Sequence, residues 1–257
     1  MKKSKTRVFI FGGENTKFAF SAGAAKALED ASITADICVG NSGGSLLAWW
    51  ISHQSAREAY DYTYNIKNRG AYLRFNWRRL FWDGLYDPTP LFKVLEDVKS
   101  EPQKIPSYYA TTNHKQGSFK LGTTINDCIA SICEPVWIRS PDGVHYDGGN
   151  MSQVPNTRVF DKFKGDEYEF FVFLNNPIRD SIPGNAGSNV LSILLRGVDI
   201  QTHESFMDDY RLIMHEPRVK AVFAPSQYLY KPFTFDRFEI RRALHLGEAK
   251  AKKWLNS

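Results

Sequence analysis

Nowhere in these 257 residues does an apolar run approach the roughly 18 residues that a membrane-spanning helix needs. The opening stretch MKKSKTRVFIFGGEN has only four apolar residues after its basic cluster, too few for a secretory signal, so neither a leader nor a span is expected. Cysteine is scarce and odd in number. Cys38, Cys128 and Cys133 include no Cys-x-x-Cys pair, which argues against a disulfide framework or a zinc site and fits buried thiols in a reducing compartment, hence a cytoplasmic location. Repeats, low-complexity tracts and long linkers are missing too, leaving an ordinary globular chain.

Charge of one sign is in modest excess, a net +5, yet Lys and Arg gather at residues 1–7, 67–79 and 237–253. Such clusters can meet nucleic acid or an anionic membrane face, or simply stay in water. With 42% hydrophobic and 14% aromatic residues the chain can bury one sizeable core, and residues 1–257 are read as one domain.

Apolar strand-like runs alternate with helical patterns, the order expected of an α/β domain. Arg7–Phe11 reads as a buried strand ended by Gly12-Gly13. A helix is expected over 17–31 and a second short strand over 37–39, turning into a helix that reaches about Ser52. Later strands are expected over 108–112, 119–122, 169–174 and 219–223, and later helices over 91–98, 125–132, 190–215 and 236–255.

The turn after the second strand reads Gly40-Asn41-Ser42-Gly43-Gly44, a G-x-S-x-G pattern between strand and helix. That context is a nucleophile elbow. Its serine takes a strained conformation that lifts the hydroxyl out of the turn, and a Cβ at Gly40 or Gly44 would strike the crossing strand or helix. The Gly43 amide then faces the space before the hydroxyl at a helix N-terminus, where negative charge is favoured. The pattern alone is weak, since a plain Gly-Ser turn also satisfies it; the flanking strand and helix give it weight.

Further on, HYDGGNMSQVP carries Asp147-Gly148-Gly149 with Pro155 eight residues after the aspartate. By itself an Asp-Gly pair also reads as a turn between strands. Together, however, the two stretches resemble the patatin-like lipid acyl hydrolases, in which a G-x-S-x-G serine and a D-G-G or D-G-A aspartate form a dyad without histidine. AKALEDASITADICVGNSGGSLLAWW resembles that family's first helix, second strand and elbow helix. GLYDPTPLFKVLED and ASICEPVWI resemble segments that precede its aspartate, and ALHLGEAKA is a weaker match near the end.

The resemblance covers most of residues 7–160 in the family's order. It implies a three-layer α/β/α fold with a mostly parallel central sheet, and hydrolysis of lipid esters of phospholipase A or lysophospholipase type. Ser42 would be the nucleophile and Asp147 the general base, with Gly148 and Gly149 letting the backbone come close and Gly40 and Gly44 supporting the elbow. No metal or cofactor is implied, and the partners are a lipid ester and a transient contact with an anionic membrane surface.

One departure stands out. The family's G-G-G-x-(Lys/Arg)-G loop, whose amides hold the oxyanion, corresponds here to GGENTKF, so Glu14, Asn15 and Phe18 stand where glycine is usual. Amides of Gly12, Gly13, Glu14, Asn15 and Gly43 are the expected donors, and Lys17 is an anchor or an anion contact. The altered loop keeps open a catalytically weak protein that binds lipid, an interaction protein, or an enzyme that needs an activator.

A Ser-Asp-His triad is disfavoured. His203 and His215 fall in one helical pattern and His245 in another, although His145 lies two residues before Asp147 and on the same side of a strand. The aromatic and basic mixture over 60–86 suits a bilayer interface, or single-stranded nucleic acid less well, or packing around a substrate channel.

Overall fold

The computed structural model describes residues 5–75, 86–98, 102–135, 137–138, 140–181, 189–230 and 234–257. Strand β1 (Thr6–Phe11) sends Val8 and Ile10 to one side and Phe9 and Phe11 to the other, because successive side chains leave a strand on opposite faces. Both pairs are buried, in two different hydrophobic clusters, so the strand lies in the middle layer. The chain continues through α1 (Phe18–Asp30), β2 (Ile37–Asn41), α2 (Gly43–His53), α3 (Ala56–Tyr64), the short β3 (Arg74–Phe75) and β4 (Tyr86–Asp87), and α4 (Thr89–Val98). Then come β5 (Ser107–Asn113), β6 (Ser118–Gly122), α5 (Ile125–Ile132), β7 (His145–Asp147), α6 (Asn156–Lys162), β8 (Tyr168–Phe173), α7 (Val190–His215), β9 (Val219–Phe223) and α8 (Arg237–Leu255).

The main sheet runs β6-β5-β2-β1-β8-β9, with β7 also paired to β5. The pairs from β5 through β9 are parallel, and β6 and β7 run antiparallel to β5. One face is covered by α1, α2 and α8 around Phe9, Phe11, Phe171 and Phe173; the other by α6 and α7 around Val8, Ile10, Phe170 and Val172. This is the expected three-layer architecture, and every strand and helix expected from hydrophobic periodicity is present with its ends shifted by at most two residues.

Four features were not anticipated: α3, the β3–β4 pair, β7 and α6. The strands and α6 are too short to show a period. Helix α3 did carry a start signal: Ser55 accepts from the Glu58 amide at 3.1 Å, the S-x-x-E cap visible in the sequence. The three cysteines are free and buried, and among the described residues no helix is long and apolar enough to cross a membrane.

Helices α1 and α8 cross with their backbones almost touching. A Cβ built on Gly23 would lie 1.9 Å from the Leu244 carbonyl oxygen, and one on Gly247 would lie 1.9 Å from that of Phe20. Two reciprocal glycines thus set the separation of the helices. Gly247→Ala should destabilise the fold by about 3 kcal/mol, since neither backbone can yield without parting the helices. Calorimetry should show a fall of about 10 °C in Tm, with helical circular dichroism retained below the transition.

Candidate active site

Ser42 joins β2 to α2 with φ 49° and ψ −126°, a left-handed conformation that a side chain adopts only when its surroundings enforce it. The enforcement is steric. A Cβ at residue 40 would lie 2.4 Å from the Gly44 carbonyl oxygen, and one at residue 44 would lie 2.5 Å from that of Phe11. Strand and helix therefore meet at a distance only glycine allows, and Ser42 is pushed outward at their junction. Its amide donates to Ser131 Oγ of α5 at 3.0 Å, and Ser131 is in turn 2.8 Å from Ser45 Oγ.

Asp147 closes β7, opposite Thr111 of β5, and its own amide donates to the Cys133 carbonyl at 3.1 Å. Its carboxyl accepts from the Gly149 amide at 2.8 Å, and the Ser42 side chain is near enough to lower its pKa. Gly148 has no room for a Cβ, which would lie 2.6 Å from Asn41 Oδ1. Burial is the main influence on Asp147 and pushes its pKa up; the Ser42 side chain and the Gly149 hydrogen bond oppose this, while Glu134 and Glu14 add to it. The result is about 7.

Asn41, fully buried, ties the elbow to the loop that follows Asp147. Its Nδ2 donates to the carbonyls of Ser152 (3.0 Å) and Gln153 (3.1 Å). That loop is gripped from the other side by Asp209 of α7, which accepts from the Val154 amide at 2.9 Å and from Ser152 Oγ at 3.1 Å. Burial raises the Asp209 pKa to about 6.

The glycine-rich loop is bound up more than its sequence suggests. The Gly12 amide donates to the Phe173 carbonyl (2.9 Å) and the Gly13 amide to that of Gln153 (3.1 Å), so neither is free for an oxyanion. Among the described residues the amides of Glu14 and Gly43 have no acceptor. Glu14 sits at φ 94°, the conformation glycine would have favoured, and its carboxylate is held by Lys17 Nζ at 3.0 Å and Asn176 Nδ2 at 2.6 Å. Lys17 also donates to Asn176 Oδ1 (3.1 Å) and is buried. Asn175 Nδ2 holds the carbonyls of Gly12 and Gly13 at 2.9 and 2.8 Å.

Ser42 stands on the wall of two cavities. One is apolar and uncharged, walled by Leu46, Trp50, Ile66, Leu73, Leu91 and Ile138 among others. The other is polar, with Glu14, Glu134, Trp137, Asp147, Asn150 and Gln153. Tyr62 and Tyr72 also border the apolar one, so this part of the aromatic stretch packs around the cavity; residues 76–85 lie outside the described residues. Among the described residues no histidine borders either cavity, and none forms a metal cluster with Cys, Asp or Glu. His145 instead lies 2.6 Å from Asp142.

The sequence reading missed Ser131, Asn175, Asn176 and Asp209. Ser131 lay within the ASICEPVWI stretch and Asn41 within the elbow itself, but a lone Asp in mid-helix carries no local signal. Ser131→Ala should cost about 1–3 kcal/mol by leaving the buried Ser42 amide unpaired, measurable by urea denaturation.

The family model described as patatin-like phospholipase matches residues 9–180, well over half of the chain. No curated protein sequence matches. Among solved structures, VipD from Legionella pneumophila is similar over 99% of this chain and 67% of its own, at 10% identity and a TM-score of 0.50, which supports the fold alone. The type III effector protein ExoU is similar over 99% of this chain and 53% of its own, at 9% identity and a TM-score of 0.43. With residues 9–180 matched over the segment that holds both Ser42 and Asp147, the chain belongs to the patatin-like phospholipase family.

Proposed function

We propose that this chain, acting as one domain, hydrolyses membrane glycerolipid esters with a Ser42–Asp147 dyad, in the manner of a phospholipase A or lysophospholipase. Family membership implies lipid acyl hydrolysis. The observation that carries the finer reading is the position of Ser42 on the border of an apolar and a polar cavity, which suits an acyl chain on one side of the carbonyl and a headgroup on the other.

In the proposed mechanism Ser42 Oγ attacks the ester carbonyl carbon while Asp147 takes its proton. The tetrahedral oxyanion accepts from the amides of Glu14, Asn15 and Gly43, three of the five donors expected from the sequence, since those of Gly12 and Gly13 are engaged elsewhere. Collapse breaks the carbon–oxygen bond of the leaving alcohol, which receives the proton from Asp147 and leaves an acyl-Ser42. Water then attacks the acyl carbon, giving its proton to Asp147; the acyl–Oγ bond breaks, Asp147 returns that proton to Ser42 Oγ, and the fatty acid leaves. A carboxylate at about 7 is a far stronger base than an exposed aspartate, which is what a histidine-free dyad requires. The Lys17 ion pair offsets the Glu14 charge beside the oxyanion position. A protein that binds lipid without turnover is the second reading, favoured by that same Glu14 carboxylate. We further propose cytoplasmic residence, supported by the three free, buried thiols.

A tagged fluorophosphonate should label Ser42 alone, with labelling abolished in Ser42→Ala and slowed by about 10²–10⁴ in Asp147→Asn. A folded protein that takes no label would favour the lipid-binding reading.

The kcat/KM of ester hydrolysis should rise with pH through a midpoint of about 7, as Asp147 ionises. Stability moves the other way. A carboxyl raised above its unfolded value favours the fold below about 4, and that contribution is lost as pH climbs through about 7. Asp147→Asn should therefore raise Tm by about 5 °C at pH 8 and leave it unchanged at pH 4, read by thermal scans at the two pH values.

A further inference from the structure

The two halves of α7 have different surroundings. In its second half Phe206, Met207 and Ile213 are buried beneath the sheet, and the exposed apolar residues are only Leu212 and Met214, close to its end. In its first half Val190, Ile193, Val198 and Ile200 keep 73%, 53%, 57% and 46% of their surface in water. They belong to the stretch VLSILLRGVDI, interrupted only by Ser192, Arg196, Gly197 and Asp199. A helix serving one core needs a single apolar stripe, and a segment apolar beyond that stripe is built to meet a second apolar phase.

Position identifies that phase. Val198 borders the polar cavity together with Ser42, and so does Trp137, itself 37% exposed. Val190, Ile193 and Ile200 fall within about 80° of the helix circumference at 100° per residue, forming one continuous edge beside the flank that bears Val198. An apolar edge, a tryptophan and the cavity holding the nucleophile thus share one rim. That is the arrangement a protein needs when its substrate's acyl chains are embedded in a bilayer.

We infer that the first half of α7 seats the protein on a lipid surface, with its apolar edge entering the boundary between headgroups and acyl chains beside the mouth of the Ser42 cavity. The inference rests on the proposed reading of the substrate as a membrane lipid. The edge bears a single basic residue, Arg196, with Asp199 nearby, so attachment is driven by apolar burial and not by the anionic attraction expected from the basic clusters.

The test is flotation with phosphatidylcholine vesicles in a Ser42→Ala background, which prevents lipid consumption. The parent should float with the vesicles, and 0.5 M salt should change its partition less than about threefold. Val190→Gln/Ile193→Gln/Ile200→Gln should weaken partition by about 30-fold or more. With Ser42 restored, the triple variant should still take fluorophosphonate at the parent's rate, which establishes that it folds. As a second readout, an environment-sensitive fluorophore on Ile193→Cys should shift to the blue on adding vesicles.

Equal flotation of parent and triple variant with no fluorophore shift, or no flotation of the parent, overturns the inference. So does a parent that elutes as a dimer and a triple variant that elutes as a monomer without vesicle binding, which would assign the edge to a second copy of the chain. Labelling at Ser42 without vesicle attachment sinks this inference and leaves the hydrolase reading standing. Attachment that depends on the edge, without labelling, does the reverse.

Discussion

Nothing larger than a hydrogen fits where β2 turns into α2, and the rest of the site hangs on that contact. The carbonyl oxygens of Gly44 and Phe11 stand 2.4 and 2.5 Å from where side chains at residues 40 and 44 would begin. The chain therefore has to reverse around Ser42, and the strain at that residue is shared with its neighbours. Ser131 takes its amide, and Asn41 clasps the loop beyond Asp147. Ser42 and Asp147 come from elements 105 positions apart, yet they are held in one corner.

Electrostatics at this corner follow from burial more than from pairing. Among the described residues Asp147 has no cation against it; lost water raises its pKa, and two further carboxylates, Glu134 and Glu14, reinforce the effect. Glu134 is itself raised, by burial first and by Glu14 second. A lysine close to Asp147 would have lowered its pKa, and Lys17 is turned elsewhere by its ties to Glu14 and Asn176. The replacement of a family glycine by Glu14 thus fits a site that lets this loop carry negative charge so long as the charge is tied down.

Much of this was legible beforehand where period and spacing carry the signal. Alternating and helical runs placed the strands and helices, the resemblance to the patatin-like family implied their three layers, and two short motifs singled out Ser42 and Asp147. What was not legible depends on contacts between distant segments. The amides of Gly12 and Gly13 look available in a glycine-rich loop, but partners 161 and 140 positions away, Phe173 and Gln153, occupy them. Lys17 next to glycines reads equally as a ligand for anions or as a buried strut, and its tie to Asn176 appears only in the fold. Asp209 lies on a long helix with no local mark, and its importance comes from the loop it grips.

The reciprocal glycines of α1 and α8 also constrain how the molecule can be made. Gly23 and Gly247 are 224 positions apart, and each packs against backbone of the other's helix. As a growing chain leaves the ribosome, α1 emerges with its small-residue face uncovered, and its partner follows only after every strand of the main sheet. Contacts so far apart in sequence close slowly. Until they do, the apolar face that α1 shares with the sheet is open to chaperones or to other nascent chains, so α8, remote from Ser42 in sequence, decides when that face is first covered.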